Sequence, residues 1–230
     1  MRLRHLTIML AIASLALPVA AQMMGMGPQI PTLSGVWHPV VGSGASYLIT
    51  DDKKSSNFDF IVVGKEDMEG KTGYWIETSA TDPRGGGEIV IKMLQSVEGN
   101  TVSHTKTVFQ MPGQPPMEME ANAMNMPAGR RAAPQVSTDA DFREKAELVG
   151  TESITVPAGT YSCQHYRMKD GSGDAWISDK VVPWSLVKMQ DKNRTMVLNK
   201  VITDAKDRIT GTPVKFDPMM MMRNRMGQQQ

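Results

Sequence analysis

The sequence predicts an all-β protein, mainly antiparallel, built as an open half-barrel or a sandwich, with few helices and with disordered arms. Three observations point there. Apolar and polar residues alternate with a period of two in short runs rich in β-branched and aromatic side chains, the pattern of strands with one face buried. Clusters of Gly, Asp and Asn separate those runs and supply turn conformations at little steric cost. None of the alternating segments holds a 3.6-residue period for long, so few helices are expected.

The chain opens with Arg2, Arg4 and His5, followed by an apolar run over residues 6–17 and then Pro18, Val19, Ala20 and Ala21. A basic start, about a dozen apolar residues and a small-residue exit make a secretory signal peptide. Residues 1–21 are therefore expected to be cleaved, leaving a periplasmic or secreted protein that begins at Gln22. The apolar run falls short of the roughly 20 residues needed to cross a bilayer, and no later window reaches that length without charge. No transmembrane anchor is expected. The one cysteine is Cys163, so no thiol near the cut can take a lipid, and no internal disulfide can form even in an oxidising compartment.

Charge narrows the partners. The chain holds 25 Lys and Arg against 24 Asp and Glu. Without Arg2 and Arg4 the balance is 23 against 24, a net charge of −1. That gives no basic face for nucleic acid and no polybasic attraction to anionic lipid.

The elements follow in order. Residues 22–40, rich in Met, Gly, Pro and Gln, read as a flexible arm, and residues 41–210 as a single β domain. Strands are expected over 47–50, over 58–63 with Gly64 closing the run, over 74–78, over 89–94 and over 101–109. Turns at 51–54, 69–71, 82–87 and 98–100 separate them. Five prolines between Pro112 and Pro134 break the pattern, so residues 112–136 are expected to be a mobile loop insertion with one helical turn over 118–124. Alternation resumes near 144–148 and continues through 152–156, 160–168, 174–178, 182–188 and 195–203. Pro157 fixes φ and Gly159 permits a positive one, so residues 157–159 join two strands. Residues 211–230, with Pro213, Pro218, four consecutive methionines and three terminal glutamines, read as a disordered tail.

The run Val156-Pro157-Ala158-Gly159-Thr160-Tyr161, with Cys163, then Trp176-Ile177-Ser178, Val182-Pro183 and Leu186-Val187-Lys188, resembles a group of exported bacterial domain-of-unknown-function proteins. These are similar in outline to the outer-membrane lipoprotein carrier, in which an antiparallel sheet curls into an open half-barrel over an apolar groove. The resemblance covers residues 150–205 well and carries no catalytic residue to transfer. It implies an exported half-barrel that binds an apolar or lipid-like small molecule. Trp176, Trp184 and Tyr166 are the expected ligand contacts.

Catalytic chemistry finds little support. His38, His104 and His165 lie in separate segments with no metal-ligand spacing. Cys163 and His165 share a strand face if the strand is regular, where a packed thiol is a more ordinary reading than a nucleophile. No Gly-x-Ser-x-Gly elbow, His-Glu-x-x-His pair or phosphate loop occurs. The expectation is a protein that is not an enzyme and needs no cofactor. Methionine is the compositional anomaly, at 20 of 230 residues. Thioethers are soft ligands for Cu(I), and Met117, Met119, Met124 and Met126 are the candidate ligands of an alternative, metal-buffering function. Flexible apolar filler is the ordinary reading of the same residues.

Overall fold

The computed structural model describes residues 36–51, 54–81, 87–98, 101–120 and 139–216. The expected signal at 1–21, most of the arm, Met124 and Met126 lie outside them. Twelve strands form one sheet: β1 (Ser43–Asp51), β2 (Lys54–Met68), β3 (Lys71–Thr81), β4 (Glu88–Glu98), β5 (Thr101–Gln110), β6 (Met117–Glu120), β7 (Ala146–Val156), β8 (Gly159–Met168), β9 (Asp174–Ile177), β10 (Leu186–Gln190), β11 (Arg194–Ile202) and β12 (Val214–Lys215). One helix, α1 (Asp139–Lys145), precedes β7. The order across the sheet is β12-β6-β5-β4-β3-β2-β1-β11-β10-β9-β8-β7, open at both edges. Every pairing is antiparallel except that of β12 with β6.

Two meanders meet at β1, which pairs with β2 on one side and with β11 on the other. The hairpins rest on the expected turn chemistry. Glu69 and Gly70 both have positive φ, at 57° and 85°, the type I′ geometry that matches strand twist. Gly159 sits at φ 131° where β8 leaves the Pro157-Ala158 turn.

The β7–β8 end curls over the sheet. The Ala158 amide donates to the Leu198 carbonyl of β11 at 3.3 Å, which brings the hairpin tip across β9 and β10. Phe142 of α1 packs edge-on against Tyr166, ring centroids 5.1 Å apart. Tyr47, Phe60, Leu186, Met196 and Leu198 complete the main core, all fully buried. Tyr47 keeps its hydroxyl satisfied by donating to the Leu186 carbonyl at 3.0 Å, as a buried phenol must.

Several expectations change. β2 does not end at Gly64 but passes through a bulge between Val62 and Gly64 to Met68, an irregularity at which glycine is at home. The insertion at 112–136 contains strand β6, so residues 118–120 are extended and not part of a helical turn. The tail from 211 supplies β12, whose Val214 and Lys215 lie beside Met117 and Glu118. Strands of four and two residues are too short to show a period; the open edge of β5 recruits β6, and β6 in turn recruits β12. The arm is docked where it is described. Trp37 lies against Trp184 at 4.4 Å, and the His38 amide donates to the Pro183 carbonyl at 2.9 Å.

Candidate functional site

The three residues expected to line a groove do not converge. Trp176 pairs with His165, and Tyr166 with Ala175, so Trp176 and Tyr166 leave opposite faces of the sheet. Their exposures are 8% for Trp176, 3% for Tyr166 and 0% for Trp184. Phe142, Leu186 and Met196 belong to the same buried cluster as those rings.

Trp176 instead forms the middle of a row across β7–β10. His165 stacks on it at 4.5 Å and 15°, and the Lys188 Nζ lies 4.4 Å from its ring centroid. The Trp176 Nε1 donates to Glu152 Oε1 at 2.7 Å. Glu152 Oε1 also faces His165 Nδ1 at 2.9 Å, and Asp174 Oδ1 faces His165 Nε2 at 2.8 Å. Both carboxylates are spent on groups of the row. Cys163, beside it and opposite Glu152 in register, is buried, and its thiol pKa is pushed up to about 11 by burial and by the Glu152 charge. A thiol held protonated is a poor nucleophile. Among the described residues no group of three His, Cys, Asp or Glu could hold a metal. Met117 and Met119 are alternate residues of β6, Met119 buried and Met117 half-buried.

A different site lies on the strap, residues 203–210, that follows β11 and crosses β3, β4 and β5. Its anchor is Arg208. The Arg208 Nε donates to Glu77 Oε1 at 2.6 Å, and its backbone amide donates to Glu77 Oε2 at 3.0 Å. The Nη1 reaches Ser79 Oγ at 3.2 Å and Glu88 Oε1 at 3.1 Å. Glu77 is fully buried. Burial raises its carboxyl above the ordinary value, and the Arg208 hydrogen bonds and charge hold that rise in check. Asp207 pairs with Lys92, and Ile209 packs on Val90 and Val108. The Ala205 amide donates to the Gly42 carbonyl at 2.8 Å, fixing the other end.

Between the near end of the strap and the sheet lies a cavity of about 390 Å³, lined by Ser46, Asp59, Ile61, Lys200, Ile202, Ala205, Lys206 and Arg208. Register explains its shape. Asp59, Ser46 and Lys200 form one row across β2, β1 and β11, and Ile61, Gly44 and Ile202 form the next row on that face. Gly44 is obligatory, because a Cβ there would collide with the Phe60 carbonyl. No side chain therefore rises between the two isoleucines. A second cavity, about 190 Å³ beside Met168 and Arg194, falls below the usual 300 Å³ floor of ligand pockets. Sequence reasoning missed the strap site because its residues come from segments far apart in the chain. One signal was present: the alternation of β3 puts Glu77 on the same face as Trp75, and a carboxylate inside an apolar strand needs a cationic partner.

No family model matches the chain, and no curated protein matches it. Solved structures are similar in outline. One is a candidate lipoprotein from Parabacteroides distasonis, at 15% identity and a TM-score of 0.34, covering 74% of this chain and 100% of its own. Another is a candidate exported protein with a YmcC-like fold from Bacteroides fragilis, at 12% identity and a TM-score of 0.34, covering 74% of this chain and 99% of its own. A third is a DUF1329 family protein from Desulfovibrio piger, at 11% identity and a TM-score of 0.32, covering 71% of this chain and 85% of its own. Among the described residues no helix is long and apolar enough to cross a membrane.

Proposed function

We propose that this chain is an exported, non-catalytic β protein that binds a small lipid-like molecule, and that the ligand sits in the strap cavity. The basic, apolar and small-residue order of residues 1–21 supports export. The observation that carries the binding reading is the trough of Ile61, Gly44, Ile202 and Ala205, in a cavity of about 390 Å³. That volume sits at the low end of the 300–1,000 Å³ typical of ligand pockets. Each methylene buried there contributes about 0.8 kcal/mol, so a short aliphatic chain is enough for measurable binding once association costs are met.

Native mass spectrometry of protein purified from its own envelope should show a bound aliphatic molecule on a chain that begins at Gln22. A fluorescent apolar probe should bind saturably, and Ala205→Trp, which fills the trough from the strap, should weaken it several-fold without lowering the unfolding midpoint. Probe binding that ignores Ala205→Trp would place the ligand elsewhere and end this reading.

A further inference from the structure

Two of the three cations lining the strap cavity make no ion pair among the described residues. Lys200 on β11 and Lys206 on the strap both line the cavity, and neither has an ion-pair partner among the described residues. Asp59, on the opposite wall and one strand beyond Ser46, makes no ion pair either. Arg208 lines the same cavity and engages Glu77, Ser79 and Glu88 through its Nε and Nη1. Its Nη2 is buried with no acceptor among the described residues. That atom is closed off from the cavity, so the groups that an oxyanion there meets are the exposed Lys200 and Lys206.

We propose that the ligand is an amphiphile with an oxyanion head, bound by Lys200 and Lys206, with its aliphatic chain along Ile61 and Ile202. This rests on the reading of the strap cavity as the binding site and adds the chemical class of its ligand. Beside the Arg208 cluster, the two ammonium groups of Lys200 and Lys206 share the cavity with one carboxylate, Asp59. Asp59 repels an anion from the β2 wall and so sets its direction, head toward β11 and the strap. The modest volume selects a short chain. A head bridging Lys200 and Lys206 also ties the strap to the sheet, so ligand and strap stabilise each other.

The test compares ligands of one chain length on the full exported protein: octanoate, octyl phosphate and 1-octanol, titrated calorimetrically at low and moderate salt. Octanoate should bind at least about tenfold tighter than 1-octanol, a difference of about 1.4 kcal/mol, and added salt should narrow the gap. Lys200→Gln with Lys206→Gln should erase that preference, bringing octanoate to the affinity of 1-octanol on the same variant. Octyl phosphate binding in place of octanoate keeps the oxyanion class and identifies the head as phosphate. Equal affinity for 1-octanol and octanoate overturns the anionic class while the cavity stands. Binding of none of the three overturns the cavity together with it.

Discussion

Cys163 and Trp176 lie on neighbouring strands, and both are packed into the core. The thiol is buried, and its pKa is pushed up to about 11, so little thiolate exists near neutral pH. Labelling by a thiol reagent at pH 8 should be slow on the native protein and fast in denaturant; fast native labelling would return Cys163 to consideration as a nucleophile. Trp176 holds together Glu152, His165 and Lys188. Trp176→Asp removes a large buried ring and places a third carboxylate beside Glu152 and Asp174. The expected loss is about 3–5 kcal/mol, as for truncation of a core aromatic, read as a lower denaturant midpoint. A variant that folds with unchanged stability would show that the ring faces open space. The pairing of Cys163 with His165 on one face was legible from the strand period. The row was not, since Glu152, Trp176 and Lys188 reach it from three other strands.

Among the elements, legibility tracked length and alternation. β5, β8, β9 and β11 were read from sequence to within a residue or two, because each carries a clear period of two between turn residues. β6 and β12 were missed because four and two residues cannot display a period, and α1 because seven residues make only two turns. The strap has no regular structure and so no pattern; it is held by side chains. Its grip and that of β12 are separable. Ending the chain after Gly211 removes β12 and the Phe216 ring, which meets Phe109 at 5.8 Å, and should cost about 1 kcal/mol. Ending it after Ile202 also removes Arg208 from the buried Glu77 and bares Val90 and Val108. That loss should be about 3 kcal/mol or more, the range for breaking a buried ion pair. Similar midpoints for the two truncations would mean that the strap contributes no packing. The opposite margin, β7, exposes Leu148 and Val149; a bulge between Leu148 and Gly150 twists it and so discourages edge-to-edge pairing.

At the scale of the whole molecule, acid sensitivity has a source away from the strap. His104 on β5 has its Nε2 2.9 Å from Thr107 Oγ1, and its Nδ1 is buried with no partner among the described residues. Burial pushes its pKa below the ordinary imidazole value. The folded state therefore resists protonation that the unfolded chain accepts near pH 6.5. The stability from the neutral ring is fully present above that pH and is lost as pH falls through the lower folded value. Unfolding midpoints should drop between pH 7 and pH 5, and His104→Gln should flatten that drop. An unchanged slope would assign the acid sensitivity to the carboxylates. The all-β, mainly antiparallel class was legible because alternation sets it locally; half-barrel against sandwich was not, and the sheet is open. The strand order was not legible either, because a period says which face is buried and nothing about which distant strand lies alongside.

That order has a consequence in time. β1 leaves the ribosome well before β11, the partner for one of its edges, and Tyr47 and the Leu186 carbonyl it bonds are 139 positions apart. At the usual 5–20 residues per second of synthesis, β1 waits on the order of ten seconds or more with that edge bare and with Tyr47, Leu48 and Ile49 unburied. Pairings so far apart in sequence are also slow to close once both strands exist. A chain of this topology meets its greatest hazard before it is finished.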